Sequence, residues 1–295
     1  MAARPLNKPT AKFPDTGGIG IGIAFLEGKQ FGLAVRLQRE AQETHDLASL
    51  IREKSSGESD IRFIGRIKAQ HTSSRLRPGA SIGHSLVTAG SLGAFVEIPT
   101  KPGVYILSNN HVLAACDQGT LGDPILHPGV LDATDAMPAK PIGTLANVEK
   151  LRSQRASANI MDAAVGRLSD DVPFDPPPPF QGVGAPQGAM VVAKDGRTTR
   201  HTTGVVTAID MDDLWIDYGD ETGSLRFDGQ IEVEGQGNGP FSLPGDSGSL
   251  VWHPGSMEAI GLLFAGSDVG GSNGAGLTYV NPLPPVLSQF RAKLS

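Results

Sequence analysis

The sequence is poor in cysteine, since Cys116 is the only one among 295 residues. An intrachain disulfide is therefore impossible, which excludes the small secreted folds that disulfides hold together and favours a reducing compartment. Residues 1–18 lack the charged-then-apolar pattern of a secretion signal, and no apolar run reaches the length needed to cross a membrane. These absences predict a soluble, cytoplasmic protein.

The sequence also lacks a strong charge of either sign. Its formal net charge is -6, and acidic and basic residues are scattered along the chain. Because there is no basic patch and no basic amphipathic stretch, we expect neither a nucleic-acid partner nor a membrane partner. None of His84, His127, His201 and His253 has a metal-ligand spacing with another histidine or with Cys116. No metal and no cofactor is therefore predicted.

Glycine (38 residues) and proline (22 residues) are abundant, and 39% of the residues are hydrophobic. Short apolar runs separated by turn residues are typical of a mainly β fold. We expect two packed antiparallel β-barrels, at residues 79–170 and 190–295, with a helix at the end of the second. Residues 171–189 between them are rich in proline, which favours an extended connection.

Residues 1–78 predict a small separate α+β unit. Residues 18–26 and 31–37 are typical of a β-hairpin, residues 39–54 have helical spacing of apolar side chains, and residues 61–67 favour a third strand. The resulting β-β-α-β order indicates no activity by itself. We expect a structural or partner-binding appendage, where a regulatory partner could bind.

A nucleophile is suggested by the run GDSGS at residues 245–249. Glycines at both sides of Ser247 allow turn geometry that is closed to larger residues. Such a turn can expose the Ser247 hydroxyl and direct the amides of Gly245 and Ser247 to one point, which supplies a nucleophile and an oxyanion hole. A glycine-rich loop taken alone is equally typical of a simple turn.

A base and a carboxylate lie upstream. His111 follows an apolar run, and Asp162 lies within an apolar segment where an unpaired charge would be costly. Each has a plainer interpretation, His111 as a core histidine and Asp162 as a strand-end cap. The order His, Asp, Ser favours a catalytic triad, in which His111 takes the proton of Ser247 and Asp162 orients the imidazole.

These motifs resemble those of chymotrypsin-like (trypsin-fold) serine peptidases, and the closer match is to bacterial and plant members with an extra N-terminal segment. The resemblance covers roughly residues 79–290. It rests on the runs SNNHVLA at 108–114, MDAAV at 161–165 and GDSGS at 245–249, with SIGH at 81–84 and AGSLG at 89–93. It implies a trypsin-like pair of barrels with His111 and Asp162 in the first and Ser247 in the second.

The resemblance also implies a substrate pocket. Its base would be Phe241, six residues before the nucleophile, and one wall would run from Phe264 to Gly266. Because no acidic residue lies at this base, we expect a small or apolar P1 residue rather than lysine or arginine.

In such peptidases the residue equivalent to Asp246 pairs with a positive group, often a newly cut N-terminus. No activation site of the Ile-Val-Gly-Gly type is present. We therefore expect an internal donor for Asp246, and an enzyme that is active as made or is switched by a partner.

Three functions are compatible with the sequence. The first is a serine endopeptidase acting on protein or peptide substrates. The second is a latent or inactive protease-fold scaffold that binds through its N-terminal unit. The third is acyl transfer on a non-peptide substrate, which no residue specifically favours. Cys116 could be read as a second nucleophile, but its sequence context favours a small buried residue.

Overall fold

The computed structural model describes residues 19–26, 31–38, 41–64, 75–153, 157–176 and 180–295. The chain divides into two compact units, residues 1–72 and 73–295. Within the described ranges, no helix is both long and apolar enough to span a bilayer.

The first unit has the β-β-α-β order that the sequence predicts. Its elements are β1 (Ile19–Phe25), β2 (Phe31–Leu37), α1 (Gln42–Lys54) and β3 (Ser59–Phe63). Strand β2 is central, antiparallel to β1 and parallel to β3. Helix α1 covers part of one face, where Ala48 packs with Val35 and Leu37. The third strand lies slightly earlier than the predicted 61–67, of which residues 65–67 are outside the described ranges.

The second unit contains an eight-stranded sheet. Its strands are β4 (Ser81–His84), β5 (Gly90–Ser91), β6 (Ala94–Ile98), β7 (Lys101–Ser108), β8 (Pro124–His127), β9 (Lys140–Val148), β10 (Ala164–Leu168) and β20 (Lys293–Leu294). They pair in the order β20-β6-β7-β10-β9-β8-β4-β5. No strand pairing among the described residues joins its two edges, so this first barrel is open. A short helical turn, α2 (Asn110–Leu113), follows β7.

The second barrel closes on itself. The strands of this part of the chain are β11 (Gly182–Val183), β12 (Val191–Gly196), β13 (Arg200–Met211), β14 (Leu214–Asp217), β15 (Ser224–Phe227), β16 (Gln230–Gly235), β17 (Leu250–His253), β18 (Glu258–Gly266) and β19 (Leu277–Pro282). Strands β18, β17, β12, β13, β16 and β19 pair in that order, and β19 pairs back with β18. Strands β14 and β15 form a separate hairpin.

The expected mainly β fold with two packed barrels is confirmed. A continuous core lies between the two sheets, where Val96 and Val165 of the first belong to one cluster with Leu262 of the second. The C-terminal helix α3 (Leu283–Phe290) adds Val286 and Phe290 to this cluster. Of the proline-rich connection, residues 177–179 are outside the described ranges, and β11 pairs with the start of β18 in parallel.

Candidate active site

The GDSGS loop lies between β16 and β17 and has the geometry its glycines allow. Gly245 and Gly248 have φ angles of +98° and +93°, in the left-handed region that favours glycine. A Cβ on Gly248 would lie 2.3 Å from the carbonyl oxygen of Ser91, so no larger residue fits there. In this described segment, the amides of Gly245 and Ser247 donate to no protein acceptor. Two free donors therefore flank the Ser247 hydroxyl.

His111 lies in the turn α2, directly after the end of β7, and contacts Asp162 twice. Its Nδ1 is 2.6 Å from Asp162 Oδ2, and its backbone amide donates to Asp162 Oδ1 at 3.2 Å. Because an ionised carboxylate can only accept, Nδ1 carries the proton and Nε2 is left as an acceptor. The His111 side chain is 23% exposed, whereas Asp162 is fully buried.

Buried amide side chains hold the Asp162 backbone. Asn281 of β19 accepts the Asp162 amide proton at 3.0 Å, and Asn109 donates to the Asp162 carbonyl oxygen at 2.7 Å. Asn281 in turn donates to Gln230 of β16 at 2.6 Å. Two side chains of the second barrel thus help to fix a loop of the first.

The carboxylate of Asp162 is kept ionised. Burial acts to raise its pKa, but the charge that His111 carries when protonated and the hydrogen bonds from His111 and Tyr218 outweigh it and hold the pKa below its ordinary value. Tyr218 was missed by sequence reasoning. It follows β14, and its hydroxyl donates to Asp162 Oδ2 at 2.7 Å.

Ser247 and His111 open into one cavity of about 880 Å³. No hydrogen bond joins these two described residues, and the Ser247 hydroxyl instead donates to the carbonyl oxygen of Phe264 at 3.4 Å. That distance is at the weak limit of a hydrogen bond, so the hydroxyl is easily turned toward another acceptor. Catalytic hydrogen bonds are often long in unliganded enzymes and tighten around substrate.

The expected pocket residues lie in different places. Phe264 and Gly266 line the cavity, together with residues 214–218 of the β14–β15 hairpin. Phe241 does not line it, because its side chain turns into the core of the second barrel, where it is 1% exposed. The next residue, Ser242, takes the place at the cavity and shares a 2.7 Å hydrogen bond with Thr278.

The expected internal donor for Asp246 is confirmed. Lys194 of β12 places its Nζ 3.4 Å from Asp246 Oδ2, and both side chains are fully buried. Four further donors reach the carboxylate at 2.7–3.1 Å: the amides of Thr198, Thr199 and Leu243, and the Thr199 hydroxyl. Burial lowers the pKa of Lys194, and the Asp246 charge opposes this change. Asp246, the residue before Ser247, is therefore anchored within the chain.

Cys116 also lines the cavity, half-buried, with a φ angle of 54°. Burial, followed by the charge of Asp162, raises the pKa of its thiol to about 11. A thiol with this pKa is almost entirely protonated at neutral pH, which argues against Cys116 as a second nucleophile.

No protein-family model matches the chain, and no curated protein matches it in sequence. Solved bacterial serine proteases do match in structure. A glutamic-acid-specific serine protease, described as binding its substrate through a histidine triad, has a TM-score of 0.51 and 17% identity over 75% of this chain and 100% of that chain.

Two further matches are similar. Cellulomonas bogoriensis chymotrypsin has a TM-score of 0.48 and 20% identity, covering 75% of this chain and 99% of its own. Thermobifida fusca protease A has a TM-score of 0.49 and 17% identity, covering 74% and 96%. The chain therefore has the two-barrel fold of the chymotrypsin-like serine proteases.

Proposed function

We propose that the chain is a serine endopeptidase that hydrolyses peptide bonds through His111, Asp162 and Ser247. The observation that carries this proposal is a convergence at one cavity. A buried, ionised Asp162 orients His111, and a serine flanked by two free amides opens into the same space. These are the groups that acyl transfer requires.

The chemistry follows from these positions. The Ser247 oxygen attacks the substrate carbonyl carbon while its proton passes to Nε2 of His111. The amides of Gly245 and Ser247 bind the resulting oxyanion, each contributing about 3 kcal/mol of transition-state stabilisation. His111 then returns the proton to the leaving amine, and water hydrolyses the acyl-enzyme by the same steps. Asp162 stays ionised and stabilises the imidazolium.

A fluorophosphonate probe tests the triad, because it reacts covalently with an activated serine. We expect the full-length protein to be labelled once, and Ser247→Ala to remove the labelling completely. Ser249→Ala is the matched control, since Ser249 is a buried serine of the same loop whose hydroxyl donates to the Asp246 carbonyl oxygen. Absence of labelling in the wild-type protein, together with no cleavage of casein or peptide libraries, would favour the inactive scaffold that binds through its N-terminal unit.

We further propose a preference for a small or apolar P1 residue. We assign the P1 wall to Ser242, Phe264, Ala265 and Gly266, which line the cavity and carry no charge, although Asp217 and Asp268 line the same cavity. An uncharged wall rewards burial of apolar surface and leaves a substrate charge unpaired. A peptide-library cleavage profile should therefore be dominated by apolar or small P1 residues. A profile dominated by lysine or arginine would contradict the assignment of this wall while leaving the triad intact.

A further inference from the structure

The β14–β15 hairpin brings a tyrosine hydroxyl to the proposed triad. Residues 214–217 of this hairpin line the cavity, and Tyr218 comes next in the chain. Its hydroxyl donates at 2.7 Å to Asp162 Oδ2, the same oxygen that lies 2.6 Å from His111 Nδ1. Asp162 Oδ2 thus accepts hydrogen bonds from both the His111 ring nitrogen and the Tyr218 hydroxyl.

The position of the Tyr218 ring is fixed by its neighbours. It stacks on Phe227 of β15, with ring centroids 6.0 Å apart and an interplanar angle of 19°. It meets His111 in an edge contact, with centroids 5.9 Å apart and planes at 74°. Its backbone amide donates to the Gly223 carbonyl oxygen at 3.0 Å, which closes the end of the hairpin. The ring therefore has little freedom to move its hydroxyl away from Asp162.

Three donors converge on the Asp162 carboxylate. The His111 amide reaches Oδ1, while His111 Nδ1 and the Tyr218 hydroxyl reach Oδ2. Hydrogen bonds to an ionised carboxylate favour its charged form and fix its rotation. Burial, and then the Asp162 charge, raises the pKa of Tyr218 well above its ordinary value, so that the phenol remains a donor at any pH where a histidine base works.

We propose that Tyr218 is a positioning residue for the hydrolysis proposed above. Its hydroxyl holds the Asp162 carboxylate in the orientation that receives the Nδ1 proton of His111, and its ring edge restricts rotation of the imidazole. Tyr218 acts through Asp162 and His111 rather than on the reacting atoms. This inference rests on the proposed function, and its tests separate the two.

Tyr218→Phe removes the hydroxyl and keeps the ring that stacks on Phe227. We expect kcat to fall by about 10- to 100-fold, as for other residues that orient a catalytic group, with little change in KM. The acid limb of the kcat/KM profile should move to higher pH, because the Asp162 carboxylate has lost a hydrogen bond that lowers its pKa. Tyr105→Phe is the matched control, since Tyr105 is a buried tyrosine of the inter-barrel core.

A double-mutant cycle separates positioning from a structural role. If Tyr218 acts through the charge of Asp162, then Tyr218→Phe should reduce kcat no further in an Asp162→Asn background. Unchanged kcat in the single variant, or an equal additional loss in the Asp162→Asn background, would overturn the proposal.

A spectroscopic readout remains if the protein proves not to be a peptidase. In Ser247→Ala protein, the Nδ1 proton of His111 should give a low-field NMR resonance, because it is shared with a buried carboxylate. We expect Tyr218→Phe to shift this resonance and Tyr105→Phe to leave it in place. If the wild-type protein is not labelled by fluorophosphonate and cleaves no peptide, only the proposed function is overturned. If Tyr218→Phe leaves the His111 resonance in place, the proposed role of Tyr218 is overturned.

Discussion

Lys194 and Asp246 illustrate how single residues decide the shape of the proposed oxyanion hole. Neither side chain has access to solvent, so each charge depends on the other and on nearby dipoles. Lys194 also donates to the carbonyl oxygen of Arg200, at 3.2 Å. Because Asp246 lies between the two amides of the oxyanion hole, its anchor fixes the direction in which those amides point.

Lys194→Met tests how strongly the ion pair between Lys194 and Asp246 stabilises the protein. The substitution leaves a buried carboxylate without its cation, so we expect the free energy of unfolding to fall by about 3–5 kcal/mol, measured by urea denaturation. Labelling of Ser247 by fluorophosphonate should slow at the same time. Lys140→Met is the matched control, since Lys140 is an exposed lysine at the start of β9. Equal stability of the two variants would show that Asp246 does not depend on Lys194.

At the scale of single residues, the sequence predicts the three proposed catalytic residues but not the residues that hold them in place. The contexts of His111, Asp162 and Ser247 identify them as candidates, since each belongs to a short recognisable run. Tyr218 and Lys194 lie far along the chain from the groups they contact, in segments without a motif. Only the folded positions of their hairpins bring them to the site, so no local pattern could identify them.

At the scale of elements, the β12–β13 hairpin and the separate β14–β15 hairpin organise the site. The β12–β13 hairpin supplies Lys194, Thr198 and Thr199 to the carboxylate of Asp246. The β14–β15 hairpin supplies Tyr218 to Asp162 and lines the cavity with Trp215 and its neighbours. The site therefore draws side chains from these two hairpins as well as from the loop that carries Ser247.

At this scale, predictions from residue spacing are less accurate for the direction of individual side chains than for the existence of strands. Short apolar runs broken by glycine and proline correctly predict strands, but they do not fix which side chain of a loop faces inward. Phe241 shows the consequence, because it packs among Val192, Val206 and Val251 in the barrel core and leaves Ser242 at the cavity. A displacement of one residue along an extended chain reverses the direction of the side chain.

At the scale of the whole molecule, the two compact units have separate cores. Every contact described for the candidate site is made within residues 73–295. The first unit contributes a three-stranded sheet and one helix. We propose that it is an appendage where a protein partner could bind.

Removal of residues 1–72 tests that proposal. We expect the remaining chain to fold, as judged by circular dichroism, and to be labelled by fluorophosphonate at the rate of the full-length protein. The same deletion variant carrying Ser247→Ala measures the background labelling that does not depend on Ser247. A clear increase in labelling would identify the first unit as an inhibitor, and a loss of folded signal would show that the second unit needs it.

The division of the site between two sheets has a consequence for synthesis. His111 and Asp162 leave the ribosome before Ser247, and Ser247 leaves before Asn281, which accepts the Asp162 amide proton. A partly made chain thus first carries the proposed base, His111, without the proposed nucleophile. It then carries Ser247 without Asn281, which holds the Asp162 backbone. The proposed site is therefore complete only after residue 281 has been translated.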